Sequence, residues 1–390
     1  MRTMEKITIG GKRVVRQAYG FDDVSIVPSN VTLDPEDADA SVEIAGFKFE
    51  APFMASAMDG VVDVRFAIEM GKLGGLAVLN LHGLQTKFDD PAGVLDEIAQ
   101  KSPEEVTAFI QKAYREPIKE ELVGKRVEEI KKGGVICSVS SIPQDAERFG
   151  ALAAEAGVDI FVVQSTVTST KHVSSRAKSF DIASFCKSYK KPVIVGNCVT
   201  YQVSMDLMEA GVAGILVGVG PGAACTTRGV LGIGVPQMTA TADAAAARDD
   251  FEKKTGKRVA VITDGGMRVG GDICKAIAAG ADAVMIGSPF ARAEEAPGRG
   301  YHWGMATSHA ALPRGTRVRV GVHGPLKNIL LGPSLVDDGS QNLLGSIKNA
   351  MGLCGTKTLR DFQNVEMVIS PSFMTEGKLL QSAQRVGMGR

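Results

Sequence analysis

Eight short apolar runs, set at intervals through the middle of the chain, constrain its fold more than any other feature. They are FMASAM (53–58), GLAVLN (75–80), VICSVS (135–140), IFVVQST (160–166), VIVGNCV (193–199), GILVGVG (214–220), VAVITDGG (259–266) and AVMIGSP (283–289). Continuous rather than alternating runs suit strands buried on both faces, the condition of a parallel sheet. Each run ends in small or polar residues. The stretches 61–73, 145–157, 201–212 and 270–280 between them are rich in Ala, Leu, Met and Glu and open near Asp, Ser or Gly, as helices do. Eight βα units within residues 51–300 predict an α/β fold of the (βα)8 TIM-barrel type. A doubly wound sheet is the alternative, and eight regularly spaced units favour closure.

The flanks are expected to pack on that barrel. Residues 1–50 read as a β-rich lid (KITIGG, SVEIAGFKFEAP), and 301–390 as a flap and tail mixing strand (TRVRVGV) with helix (SQNLLGSIKNAMG). Neither shows a linker or low-complexity stretch, so residues 1–390 are expected to act as one catalytic domain. The long 81–134 connection is Glu/Lys-rich and reads as amphipathic helices. It is too short for a second sizeable domain.

Composition narrows the partners. The 44 basic and 44 acidic side chains cancel, removing the long-range attraction that nucleic acid or an anionic membrane would need. No apolar run approaches the roughly 18 residues of a membrane span, and MRTMEKITIGGKRVVRQ lacks a signal peptide's apolar stretch. Cys137, Cys186, Cys198, Cys225, Cys274 and Cys354 form no C-x-x-C pair, which fits reduced thiols in a cytoplasmic protein. His82, His172, His302, His309 and His323 show no ligand spacing, so a histidine-held metal is not expected.

In such a barrel, chemistry gathers where strands end. Those ends offer Ser56, Met58 and Asp59; Asn80 and His82; Gln164, Ser165 and Thr166; Asn197 and Cys198; Asp264, Gly265 and Gly266; and Gly287 and Ser288. After the sixth run, seven glycines fall between 214 and 234, with Cys225, Thr226, Thr227 and Arg228 among them. A thiol at a strand end, among backbone N–H groups and near an arginine, favours the thiolate of a nucleophile. The alternative is a small buried hydrophobe, as most free cysteines are. After the seventh and eighth runs, TDGG, GGDICKAIAAG and IGSPFA place glycine turns before helix starts, where barrels often hold phosphate. Asp264 beside them suits a ribose diol. Tight turns alone would also explain the glycines.

Taken together, these segments resemble the IMP dehydrogenase and GMP reductase family across nearly the whole chain. AYGFDDVSIVPS (18–29) is similar to the family's opening, ASAMD (55–59) to its first strand end and GNCVT (196–200) to its GNVVT. GPGAACTTR (220–228) resembles the catalytic-cysteine loop. DGG (264–266), GGDICKAIAAGADAVMIGS (270–288) and EEAPG (294–298) resemble the phosphate half. The resemblance implies that Cys225 attacks C2 of inosine monophosphate, hydride passes to NAD, and the thioimidate is hydrolysed to xanthosine monophosphate, XMP. It implies Thr227 in proton movement and Arg314 as a flap residue in catalysis. Ser56, Met58, Asn197, Asp264, Gly265, Gly266, Gly287, Ser288 and His302 would hold the nucleotide, with Gly304 and Met305 under the base. Gln164, Ser165, Thr166, Gly218 and Gly220 would meet the cofactor. Carbonyls of Gly220, Gly222 and Cys225, with Glu376 and Gly377 of a neighbouring subunit, would hold a monovalent cation such as K+. A homotetramer is implied as well.

Between the family's two reactions, EEAPG in place of a segment resembling SGGE, GIGVPQMTA (232–240) and SAMD in place of NMD lean toward the dehydrogenase. The CBS pair that usual dehydrogenases carry between strands 2 and 3 is absent. Five positions depart from the family pattern. Gln164 replaces an aspartate that contacts the cofactor ribose, Leu216 a basic residue, Ala223 a phosphate-contacting serine, His302 a tyrosine and Val320 a purine-contacting Glu or Gln. The flap's Arg-Tyr pair is missing, with Arg314 or Arg317 as stand-ins. GMP reduction with NADPH, a purine-nucleotide-binding protein without turnover and an FMN-dependent barrel are the alternatives.

Overall fold

The computed structural model describes residues 7–173, 179–305 and 317–370, together with Gln381 and Gln384. All eight apolar runs become strands: β1 Phe53–Ala55, β2 Leu76–Asn80, β3 Ser138–Ser141, β4 Ile160–Gln164, β5 Val193–Cys198, β6 Gly214–Val217, β7 Ala260–Asp264 and β8 Ala283–Ile286. They pair in parallel in chain order, and β8 returns to β1, closing the barrel. This is the TIM-barrel fold.

The expected helices follow their strands. Helix α1 (Val64–Lys72) starts where the Asp63 carboxylate accepts the Phe66 N–H at 2.7 Å, and it buries Phe66, Ala67 and Met70. The 81–134 connection forms α2 (Pro91–Gln100), α3 (Pro103–Arg115) and α4 (Glu120–Lys132). Proline opens α2 and α3 at a first position that needs no N–H partner. Further round the barrel come α5 (Ala146–Glu155), α6 (Ile182–Ser188), α7 (Tyr201–Glu209), α8 (Thr227–Leu231), α9 (Gln237–Thr255) and α10 (Gly270–Ala278). Among the described residues no helix is long and apolar enough to cross a membrane.

The barrel interior is a packed core of Met54, Leu76, Val78, Ile160, Val162, Ile194, Leu216, Ile262 and Met285. The same cluster contains Ile44 and Phe49, from the antiparallel hairpin Val42–Ile44 and Phe47–Phe49. The hairpin leads directly into the start of β1, the Ala51 N–H donates to Gly74 O just before β2, and the cluster takes in Leu76, Ile160, Ala260 and Ala283, the first residues of their strands. This corrects one expectation: SVEIAGFKFE is a plug in the floor of the barrel, not a lid over the strand ends where chemistry sits. Leu216 belongs to that interior too, so the departure noted there lies in the core rather than in a binding surface.

Candidate active site

The C-terminal ends of the strands surround one cavity of about 640 Å3. Ser56 and Met58 reach it from β1, Gln164–Thr166 from β4, Asn197 from β5 and Asp264–Gly266 from β7; Gly287 and Ser288 line it after β8. His302, Gly304 and Met305 complete one wall, and Gly218, Gly220, Gly222 and Cys225 the loop side. Every substrate- and cofactor-binding position expected from the sequence therefore lies on one surface. Arg314, Glu376 and Gly377 lie outside the described residues.

Cys225 is the one exposed thiol of the six. Burial pushes Cys137 and Cys274 up to about 12 and Cys186 and Cys198 up to about 11, and it raises Cys354 as well. Those five therefore stay protonated, and Cys198, read above as a strand-end candidate, is core. The Cys225 sulfur lies 3.3 Å from Thr227 Oγ1. Thr227 itself is 2% exposed, behind the sulfur rather than on the cavity wall. Arg228 is spoken for by two carbonyls, Val219 O at 3.1 Å and Val235 O at 2.7 Å, so it supplies field rather than contact.

A bulge in β5 directs Asn197 into the cavity: its register against β6 slips between Gly196 and Cys198. Only glycine fits at 196, where a Cβ would lie 2.4 Å from the Leu216 Cβ and 2.8 Å from its carbonyl oxygen. Asn197 Nδ2 donates to Asp264 Oδ2 at 2.7 Å, and Gln164 Nε2 donates to the same oxygen at 3.1 Å. Desolvation raises the Asp264 carboxyl to about 6 against the pull of the Asn197 amide, leaving it ionised at neutral pH. Gln164, expected on the cofactor side, is thus also a brace for Asp264.

Beyond Asp264, Gly265 and Gly266 turn with φ of 82° and 84°, a conformation that favours glycine. The α10 N-terminus does not line the cavity, and its Gly270 N–H donates to Gly339 O at 2.8 Å. The cup is instead made by Gly265–Gly266, Gly287–Ser288, the Arg268 side and His302. Arg268, which motif reading passed over, is held there by Asp22 and Asp272. Ser288 Oγ and His302 Nε2 are 2.9 Å apart.

Burial, helped by the nearby Arg292 charge, holds His302 down to about 4, so it is a neutral imidazole at pH 7. The unfolded chain therefore binds a proton that the folded chain refuses between about pH 6.5 and 4. Stability at this residue is lost as pH falls through that window. His302→Gln should gain Tm relative to wild type on acidification, which melting curves across that range would read.

Sequence reasoning missed the β3 contribution altogether. Ser140 and Ser141 line the cavity, and Ser141 Oγ lies 3.1 Å from His82 Nε2. The serines that end VICSVSS mark a polar strand end and nothing more specific. Asp59 is a different miss: it is 1% exposed and bonded to the Leu84 N–H and the Tyr114 hydroxyl, so it joins elements rather than facing the cavity. Glu294 and Glu295 of the EEAPG segment also stay off the wall, and Glu295 Oε2 accepts the Leu326 N–H at 2.8 Å.

Comparison with known proteins decides the family, since the IMP dehydrogenase / GMP reductase domain matches residues 18–379. The chain belongs to the IMP dehydrogenase/GMP reductase family. It is an IMP dehydrogenase-like oxidoreductase. A crystal structure of an IMP dehydrogenase/GMP reductase-like protein from Corynebacterium glutamicum superposes with a TM-score of 0.86 at 36% identity, covering 94% of this chain and 97% of that one. An uncharacterized oxidoreductase of Mycolicibacterium smegmatis is 38% identical over 372 residues, 93% of this chain and 99% of that protein. The inosine-5'-monophosphate dehydrogenase of Methanocaldococcus jannaschii is 28% identical over 487 aligned positions, covering 93% of this chain and 94% of that protein. That alignment is longer than the 390 residues here, so it spans sequence this family member lacks.

Proposed function

We propose that this family member oxidises IMP to XMP with NAD, through a covalent intermediate on Cys225. One observation carries the reading: a single exposed thiol shares a cavity with a glycine-built cup and an ionised carboxylate. The phosphate would lie among Gly265, Gly266, Gly287, Ser288 and His302. The ribose would donate to Asp264, with Ser56 and Asn197 beside it. The base would rest by Met58, Gly304 and Met305, opposite the sulfur. Cys225 Sγ bonds to C2 of the purine while hydride leaves that carbon, and water later displaces the sulfur to give XMP. Thr227, 3.3 Å from the sulfur, would exchange the thiol proton.

Bound NAD supplies the hydride acceptor. The residues present fit it, because the same cavity is also lined by Asn80, His82, Ser140 and Ser141, polar groups outside the set assigned to the nucleotide. Activation of the hydrolytic water by Arg314 belongs to the same reading. So does a monovalent cation on the Gly220, Gly222 and Cys225 carbonyls with Glu376 and Gly377. The Gly222 carbonyl accepts the Cys225 N–H at 3.0 Å and keeps a lone pair for an ion. Cytoplasmic placement and a homotetramer complete the proposal; exposed Val230, Leu231 and Ile233 beside the cysteine loop suit contact with another copy.

Reductive deamination of GMP would need an acid for the departing amine. Asp264 is the single carboxylate among the described cavity-lining residues, and the ribose takes it. This favours the dehydrogenase. Parallel incubations with IMP plus NAD and with GMP plus NADPH, followed by nicotinamide absorbance, test the choice. Growth of NADH in the first mixture alone is expected. Loss of NADPH in the second overturns the assignment, and affinity without turnover in either marks a binding protein. Yellow purified protein would point to FMN.

A further inference from the structure

We propose that Tyr114, near the end of α3, is a positioning residue that sets the cavity edge at Gly304 and Met305, and through it the seat of the purine base. The proposal rests on the nucleotide reading above. Tyr114 is buried, and its hydroxyl is where three segments meet. It accepts the Trp303 Nε1–H at 2.8 Å, donates to Asp59 Oδ2, and lies 3.3 Å from Met305 Sδ. A hydroxyl has one proton to give, and the carboxylate is a far better acceptor than a thioether. The sulfur is therefore held by contact rather than by that proton.

Two of those partners adjoin the cavity wall. Asp59 follows Met58, and Trp303 precedes Gly304. The hydroxyl thus ties the end of β1 to the segment that would lie under the base, and it does so from the helical connection between β2 and β3. Apolar packing supports the tie: Leu84, Leu95, Ile98, Val106, Ile110 and Tyr114 share one cluster with Trp303, and Met305 packs against it. The same connection also grips the chain at Arg317. That guanidinium donates to the carbonyls of Ile98, Ala99 and Lys101 where α2 ends, and stacks 4.1 Å from the Tyr301 ring centre. This contact holds Arg317 at the end of α2. The α2–α3 pair therefore anchors the chain at both Met305 and Arg317.

Tyr114→Phe keeps the ring and its packing but removes the hydroxyl, leaving Trp303 and Asp59 each short of one partner. Without the hydroxyl the Gly304–Met305 edge is no longer held in its binding geometry, and affinity falls by the fraction of molecules that keep that geometry, so IMP should bind about tenfold more weakly. Trp303 is the single tryptophan, and its one indole N–H resonance reports directly on this bond. The expected result is a sharp but displaced indole resonance in Tyr114→Phe, a weakened IMP titration on that resonance, and unchanged alkylation of Cys225 in nucleotide-free protein. Asp59→Asn, which weakens the same acceptor, should move affinity in the same direction and serves if the first variant folds poorly. A displaced resonance with wild-type IMP affinity overturns the positioning role while leaving the nucleotide reading intact. A wild-type resonance that ignores both IMP and GMP overturns both together.

Discussion

Cys225→Ala is expected to abolish turnover, lowering kcat by about a thousandfold or more, because no second group can form the carbon–sulfur bond. Nucleotide affinity should stay near the wild-type value, since Asp264 and the cup come from the ends of β7 and β8 and from His302 rather than from the loop that carries the sulfur. The two effects separate cleanly in a titration and an assay on the same preparation. Alkylation gives an independent view. The other five thiols are held protonated by burial, so a thiol reagent should label Cys225 first, and IMP should slow that labelling. Turnover by Cys225→Ala near the wild-type rate would refute the covalent route.

Asp264→Asn should weaken nucleotide binding by about a hundredfold, because each ribose hydroxyl loses a charged acceptor and such bonds contribute about 1.5–3 kcal/mol. It should also alter the pH dependence. Burial holds the Asp264 carboxyl at about 6, so the ionised acceptor is present above that pH and is lost as pH falls through it. Wild-type affinity should decline on acidification across this range. Part of that decline belongs to the phosphate of the ligand, whose second ionisation lies near pH 6. Asp264→Asn retains only this part, and calorimetric titration of both proteins at several pH values isolates the carboxyl's share. Identical pH profiles would remove Asp264 from the ribose contact.

The strands and the inward-facing glycines were legible because their causes are local. A strand buried on both faces must be apolar throughout, and a tight βα turn at Gly265–Gly266 needs positive φ. Those constraints are written in consecutive residues, and so is the Cys225 loop. The SVEIAGFKFE hairpin shows the limit of that reading. Its residues read as β-rich and do pair as two strands, but nothing local distinguishes the floor of a barrel from its mouth. Ser140 and Ser141 were missed for a related reason. Two serines at a strand end become informative only when the neighbouring strand places His82 3.1 Å away.

The order of apolar runs and turns, acting through burial and backbone sterics, was enough to specify eight parallel strands, a closed barrel and one thiol at a glycine-rich strand end. Tertiary structure alone decided which cysteine is exposed, that Gln164 and Asn197 converge on one oxygen of Asp264, and that Tyr114 meets Asp59, Trp303 and Met305. Such encounters join residues up to about 190 positions apart. Their energies depend on desolvation and on distances of a few ångströms, which no stretch of consecutive residues encodes.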